Sequence, residues 1–254
     1  MGVVAVPAAA FTVLQLSSWS TLPAVRVVND VVMTLFAVVA AACAFAAAVR
    51  LSGRRRTAWL WIAAGLCGFA AGQLIWNYNG ITSPSPPSHS VADIGYAFLS
   101  IGTGMALLVM LRDYPRSTML RVLLDGVIVA GALFGAAWAA LLATVYTAKM
   151  MNWVALGLSL MYPVASIAVV TIALLLLVRA TPVERGPLAM LTTGLALILI
   201  SDVAFAYVTA VRGVFDEAIS LGYAYGFVAI GTAALMTRAR SAILPTKPPP
   251  VDSP

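Results

Sequence analysis

Four aspartates lie within long apolar stretches of this chain, where an ionised side chain is costly and needs a reason. Asp30 and Asp93 stand near the start of two stretches, and Asp202 lies about 16 residues into a third. The charge pattern described below places these three toward the same face of a membrane. Carboxylates gathered there could bind a cation, an amphipathic ligand or protons.

Aromatic and amide side chains show the same bias toward that face. One apolar stretch ends on Trp76, Asn77, Tyr78 and Asn79, and further tyrosines at outer or middle depth are Tyr162, Tyr207, Tyr223 and Tyr225. If these groups converge with the aspartates, they line an outward-opening, acidic and aromatic pocket. The predicted ligand-binding residues are Asp202, Asp93, Asp30, Trp76, Asn77, Asn79, Tyr162 and Tyr207.

Each of these residues also has a purely structural interpretation. Tyr and Trp at such depths form interfacial belts, Asn77 and Asn79 could cap a helix end, and Asp30 or Asp93 could be hydrated. Asp202 is the hardest to explain in this way because it lies deepest. We therefore expect a buried partner for Asp202, such as a tyrosine hydroxyl or an asparagine amide.

The fourth aspartate, Asp125, lies one turn after Arg121 at the start of its apolar stretch. An acid at a helix N-terminus suits the helix dipole, and the spacing favours an Arg121–Asp125 ion pair; contact with a cytoplasmic partner is the alternative. His89, the single histidine, is expected to be a solvated loop residue. Cys43 and Cys67 lack metal-ligand spacing, so we expect no metal and no cofactor.

The elements that must position these residues are membrane-spanning helices. Of the 254 residues, 62% are apolar and 9% are charged, against about 25% charged in soluble domains. Seven stretches are long enough to cross a bilayer: residues 24–49, 57–79, 91–111, 122–147, 153–178, 187–211 and 218–237. Residues 2–18 form a weaker eighth candidate. The prediction is an all-α polytopic transmembrane helix bundle over residues 1–240, followed by a Pro-rich tail or linker over 241–254.

Charge predicts how this bundle is oriented. The connections alternate between basic and non-basic, so that twelve of the fifteen Lys and Arg residues fall on one side and only Arg26, Lys149 and Arg212 on the other. Because cytoplasmic loops retain basic residues, that side and the C-terminus are predicted to be cytoplasmic, in the inner (plasma) membrane. The basic residues thus report orientation, and no nucleic-acid partner is expected.

Three small-xxx-small patterns predict close contacts between helices, because this spacing lets two backbones approach each other. The patterns are Gly68/Gly72, Gly131/Gly135 and Gly222/Gly226. Packing within one bundle is the first interpretation of each pattern, and a homodimer contact is the alternative.

Catalytic motifs are absent from the sequence. The last apolar stretch has no lysine for a retinal Schiff base, and no G-x-S-x-G, HExxH, Walker-type glycine loop or pair of intramembrane histidines occurs. We therefore expect no enzymatic activity in this chain. A sensory module, a small-solute transporter or permease, and a structural subunit of a membrane complex remain open, although the inverted repeat of many transporters is not apparent.

Five stretches stand in an order that carries a family resemblance. They are AAGLCGFAAGQLIWNY, PSPPSHSVADIGYAFLSIG, RVLLDGVIVAGALFGAAW, LSLMYPVASIAVV and LISDVAFAYV. The matching positions are Trp76, Ser90 to Asp93, Arg121 with Leu124 and Asp125, and Tyr162 with Pro163. Over roughly residues 25–237, the chain resembles the membrane input module of actinobacterial cyclic-di-GMP signalling proteins.

The resemblance implies a sensory module that passes a stimulus to a cytoplasmic output domain. That domain is usually a diguanylate cyclase (GGDEF) domain, often joined by a phosphodiesterase (EAL) domain, and these 254 residues contain neither. The chain departs from the family pattern where acids are expected: Gln73 precedes Trp76, and Val164, Ala165 and Ser166 follow the Tyr-Pro pair. If the family acids form a polar core, the resemblance implies a weakened core here.

Overall fold

The computed structural model describes residues 12, 23–82, 90–112, 119–149, 153–211 and 219–243. Within these ranges the chain forms helices joined by short turns, and no strand occurs in them. The helices are α1 (Pro23–Arg50), α2 (Gly53–Thr82), α3 (Ala92–Leu111), α4 (Met119–Ala137), α5 (Ala143–Lys149), α6 (Trp153–Arg179), α7 (Pro182–Val211) and α8 (Ser220–Ile243). A π-helical turn, Trp138–Leu142, joins α4 to α5.

The described residues include seven helical segments that are long and apolar enough to cross a membrane, with α4 and α5 counted together. The prediction of an all-α, multi-pass membrane bundle is confirmed, and each of the seven predicted spans corresponds to one of these segments. The weaker candidate at residues 2–18 lies outside the described residues except for Thr12, and so does His89. Helix α8 runs to Ile243, beyond the start of the predicted tail at residue 241.

Short connections force neighbouring helices to run in opposite directions. Only Leu51 and Ser52 separate α1 from α2, and Gly53 begins α2 with a φ of 59°, a left-handed conformation that favours glycine. The helix ends therefore lie on two opposite surfaces. We call one the arginine-rich end, with Arg50, Arg54, Arg55, Arg56, Arg112, Arg179, Arg185, Arg238 and Arg240, and the other the acidic end, toward which lie Asp30, Asp93 and Asp202.

Six helices pack in a closed ring in the order α1, α2, α3, α6, α7, α8 and back to α1. The interior of the ring holds large side chains with almost no exposure, including Ile62, Leu66, Phe227 and Ile230. The α4–α5 segment lies outside the ring against α6 and α7, and only 6% of its span, Leu124–Thr147, is buried. In a bilayer, most of the α4 surface therefore faces lipid.

Glycines make the closest helix contacts. Between α2 and α3, a Cβ atom added to Gly95 would lie 2.6 Å from the Cα of Gly72, and one added to Gly102 would lie 2.8 Å from the Cα of Gly65. Between α7 and α8, a Cβ atom on Gly194 would lie 2.7 Å from the carbonyl oxygen of Gly226. These backbones touch where neither helix carries a side chain.

The three glycine patterns consequently have different outcomes. Gly68/Gly72 packs against α3 and Gly222/Gly226 packs against α7, so packing within the bundle is confirmed for both. Neither of these two faces is open to a second copy of the chain. At Gly131/Gly135 no described atom outside their own helix lies within 4 Å of an added Cβ atom, so the predicted packing within the bundle is not found at this pair.

Alanine at Gly95 should destabilise the bundle, whereas alanine at Gly131 should not. At Gly95 the new methyl group would press on the backbone of α2, and overpacking of this kind costs about 1–3 kcal/mol. At Gly131 the new methyl group would meet no described atom of another helix, and alanine has a higher helix propensity than glycine. Thermal denaturation of the full chain in detergent should show a lower midpoint for Gly95→Ala only. Equal midpoints would contradict the α2–α3 contact.

Candidate functional site at the acidic end

The carboxylate of Asp202 is buried, with 7% of the residue exposed, and receives hydrogen bonds from two other helices. The hydroxyl of Ser166 on α6 donates to Oδ2, and the hydroxyl of Tyr223 on α8 donates to Oδ1 over 2.6 Å. The expected tyrosine partner for Asp202 is confirmed. The deepest carboxylate of the three at this end thus joins α6, α7 and α8.

Gln73 on α2 makes a second junction, between α1, α2 and α3. Its buried amide nitrogen donates to Asp30 Oδ1 over 3.4 Å and to Asn77 Oδ1 over 3.2 Å. Its amide oxygen accepts a hydrogen bond of 3.1 Å from the hydroxyl of Tyr96 on α3. The amide of Asn77 in turn donates to Thr34 on α1 over 3.4 Å. Asn77 and Asn79 do not cap the end of α2, because this helix continues to Thr82.

Asp93 makes the third junction and also shapes the start of α3. Its Oδ1 accepts a hydrogen bond of 2.8 Å from the hydroxyl of Tyr162 on α6, and its Oδ2 accepts one of 3.0 Å from the Ser90 backbone N–H. The Ser90 hydroxyl accepts from the backbone N–H of Ala92 in return, over 3.2 Å. This reciprocal arrangement is that of a capping box, which satisfies amides left free at a helix start. The Ser90 to Asp93 motif therefore fixes α3 and orients Tyr162 through Asp93.

The three junctions adjoin one another. Tyr162 and Ser166 lie one turn apart on α6, and their hydroxyls donate to Asp93 and to Asp202, respectively. The ring of Phe69 lies beneath them, with its centroid 5.0 Å from that of Tyr96 and 6.1 Å from that of Tyr223. We call this group the acidic-end cluster: Asp30, Gln73, Asn77, Asp93, Tyr96, Tyr162, Ser166, Asp202 and Tyr223.

The cluster is closed by its own hydrogen bonds. A cavity of about 10 Å³ lies beside Ser166, which is on the order of the volume needed for a single water molecule. The predicted convergence of Asp30, Asp93, Asp202, Asn77 and Tyr162 is found. These groups hold one another, and the space beside Ser166 admits no ligand larger than water in this conformation.

Three predicted site residues lie outside the cluster. Trp76, Asn79 and Tyr207 are each half-buried, and within the described part of the chain no hydrogen bond joins them to it. Tyr207 instead packs against the apolar core. Tyr225 on α8 shares a hydrogen bond of 2.6 Å with Thr12.

Asp125 forms an ion pair with a residue of another helix, and the predicted Arg121–Asp125 pair stays a prediction. Its Oδ2 accepts a hydrogen bond of 2.8 Å from Arg179 at the end of α6. Helix α4 lies beside α6, so the last turn of α6 brings a guanidinium to the first turns of α4. The ion pair described for Asp125 therefore joins two helices, while the side chain of Arg121 lies outside the described residues.

Sequence reasoning missed Gln73, Tyr96 and Ser166 as members of the site. The family resemblance marks Gln73 and Ser166 only as positions where an acid is expected. A signal was available, because any polar side chain inside a spanning helix needs a partner. The same signal applies to Asn29, whose buried amide donates to the hydroxyl of Ser220 over 3.1 Å.

Comparison with protein-family models, curated proteins and solved structures gives no match.

Removing one hydroxyl from the Asp202 junction should destabilise the bundle. Tyr223→Phe keeps the ring packing of Tyr223 but leaves one carboxylate oxygen short of a donor, which costs about 1–3 kcal/mol. Ser166→Ala should act likewise, and the two changes should be non-additive because they share one carboxylate. The midpoint of thermal denaturation in detergent measures the loss of stability in each single variant and in the double variant.

The matched control for Tyr223→Phe is Tyr78→Phe at the same end of the bundle. Tyr78 is 67% exposed and lies outside the acidic-end cluster. The thermal denaturation midpoint of Tyr78→Phe should therefore equal that of the wild type. If Tyr78→Phe and Tyr223→Phe lower the midpoint equally, the assigned role of the Tyr223 hydroxyl is wrong.

Proposed function

We propose that this chain is a sensory or regulatory input module of the plasma membrane. In this proposal, the acidic-end cluster responds to a stimulus, and α8 carries the response to a cytoplasmic output such as a diguanylate cyclase. The observation that carries the proposal is the Asp202–Tyr223 hydrogen bond, because it fixes α8 to α7 at the acidic end. Helix α8 then runs to the arginine-rich end, where the helix ends at Ile243.

A contact between α7 and α8 could transmit a local change over the length of the bundle. From Tyr223 to Arg240, α8 rises about 25 Å at 1.5 Å per residue. Along this path the two helices touch at Gly194 and Gly226, so they can shift as packed bodies and cannot readily bend apart. A displacement of Tyr223 would therefore reach the residues around Arg240.

The stimulus would act by competing for the hydrogen bonds of the cluster. A cation, a proton or a ligand with hydroxyl or ammonium groups could take the carboxylate oxygens that Ser166 and Tyr223 now occupy. Two packed arrangements that differ in such contacts give coupling energies of about 1–3 kcal/mol, or about 5-fold to 150-fold in equilibrium. That range is sufficient for a regulatory input.

The alternatives are weaker on the same observations. A transporter would need a path between the two ends, but the apolar side chains of Leu66, Phe69 and Phe227, which are at most 6% exposed, lie inside the ring. Hydrated or lipid-capped carboxylates would support the interpretation of the chain as a purely structural subunit. Asp202 is instead buried and held by two donors.

Charge asymmetry supports a cytoplasmic arginine-rich end, because basic residues are retained on that side during insertion. A green fluorescent protein fused after Pro254 should therefore fluoresce, and an alkaline phosphatase fused there should be inactive. The reverse pattern for the two fusions would overturn the orientation and with it the cytoplasmic output.

The signalling proposal is tested in cells that express the full-length protein. Asp202→Asn and Tyr223→Phe should each change cellular cyclic-di-GMP by about 5-fold or more relative to the wild type, because each alters the junction that holds α8. The control Tyr78→Phe should leave it unchanged at equal membrane abundance. An unchanged cellular cyclic-di-GMP level in all three variants would contradict the proposal. Robust solute flux into proteoliposomes would instead favour a transporter.

A further inference from the structure

A cavity of about 440 Å³ lies at the arginine-rich end, opposite the acidic-end cluster. It is formed mainly by α2, α6, α7 and the end of α8, and it has the size of a small-molecule site. Its charged lining residues are Arg55, Arg179, Arg240 and Glu184. Most of the remaining wall is apolar and includes Trp59, Met110, Leu176, Leu188 and Leu191.

The cavity has an excess of positive charge. Among the described residues, three guanidinium groups line it, against the carboxylate of Glu184, which pairs with Arg55. Arg179 pairs with Asp125, whose side chain is not part of the lining. The guanidinium of Arg240 donates to the backbone carbonyl of Val183, a neutral acceptor. One positive charge therefore stays in excess even when Asp125 is counted.

The start of α7 is built to place Arg240 in the cavity. Thr181 donates a hydrogen bond of 2.9 Å to Glu184, Pro182 occupies the first helical position, and both features are typical of a helix N-terminus. Gly186 follows one turn later, and a Cβ atom there would lie 2.9 Å from a terminal nitrogen of Arg240. The absence of a side chain at Gly186 leaves the space that the guanidinium fills.

We propose that this cavity binds an anionic phospholipid, with its phosphate on Arg240 and its acyl chains along the apolar wall. Guanidinium groups match phosphate oxygens with paired hydrogen bonds. The cavity lies at the end of the spanning helices, at the depth of the lipid head groups, and basic pockets between helices at that depth bind anionic head groups. Arg55, which is 57% exposed, extends the positive charge to the surface.

Bound lipid would also hold the end of α8. Thr237, Arg240 and Ser241 of α8 line the cavity opposite Val183 and Leu188 of α7. Arg240 already donates to the carbonyl of Val183, and a head group bound there would add further contacts between the end of α8 and the start of α7. Regulation of signalling by this contact rests on the proposed function, whereas the binding itself does not.

The experiment measures lipid binding to the full chain purified in detergent, by native mass spectrometry and by thermal stabilisation. The probes are phosphatidylglycerol, phosphatidylcholine and glycerol phosphate. We expect phosphatidylglycerol to bind at least about 5-fold more tightly than phosphatidylcholine, and Arg240→Gln to remove about 5-fold of that affinity. Arg240→Lys keeps the positive charge but loses the paired hydrogen bonds of the guanidinium group. Its affinity for phosphatidylglycerol should therefore lie between those of the wild type and Arg240→Gln.

The matched control is Arg238→Gln, which makes the same charge change on an exposed residue of α8 outside the cavity lining. It should leave phosphatidylglycerol binding unchanged. Gly186→Val, which would displace the Arg240 guanidinium without changing charge, gives a second variant if Arg240→Gln does not fold. It should weaken binding as Arg240→Gln does.

Three results would overturn the lipid site. Equal affinity for phosphatidylglycerol and phosphatidylcholine would remove the role of charge. Equal losses of phosphatidylglycerol affinity in Arg238→Gln and Arg240→Gln would indicate a general attraction of the lipid to the basic protein surface. Glycerol phosphate binding as tightly as the lipid would assign the cavity to a soluble anion. None of these assays depends on cyclic-di-GMP output, so they test the site separately from the proposed function.

Discussion

A carboxylate can lie deep in an apolar bundle only if neighbouring groups donate hydrogen bonds to it, and the donors for Asp202 come from two other helices. Ser166 on α6 and Tyr223 on α8 must therefore meet α7 at one depth. Tyr162, one turn before Ser166, reaches Asp93 on α3 at the same end. The two carboxylates of Asp202 and Asp93 thus restrict how four helices can be arranged.

The two ends of the bundle differ because their polar groups differ. At the acidic end, carboxylates accept from neutral hydroxyls and amides such as Tyr96 and Gln73, so the helices close around them. At the arginine-rich end, the guanidinium groups among the described lining residues outnumber the carboxylates. A cavity of about 440 Å³ remains between these helices. The glycine contacts of α2 with α3 and of α7 with α8 keep the middle tightly packed.

The predicted spans agree with the helices because crossing a bilayer requires a long apolar stretch, and such stretches are visible without any tertiary contact. The partner of Asp202 was predicted in kind, a tyrosine hydroxyl, but not as Tyr223. Local spacing favoured Arg121 for Asp125, whereas the described contact is with Arg179 of α6. Gln73 and Ser166 were interpreted as lost acids, although each is a hydrogen-bonding member of the cluster.

By itself, the sequence determined that this chain is a bundle of seven apolar helices, which residues are charged, and that acids and arginines separate along the helices. These properties depend on residue type and on spacing within one helix. Only the tertiary structure decided that α4 lies outside the ring, that two glycine patterns are used within the chain, and that Tyr96, Gln73 and Ser166 meet the aspartates. The physical reason is that hydrogen bonds and close packing between helices depend on which faces meet, and an apolar helix in lipid presents nearly equivalent faces until its neighbours are known.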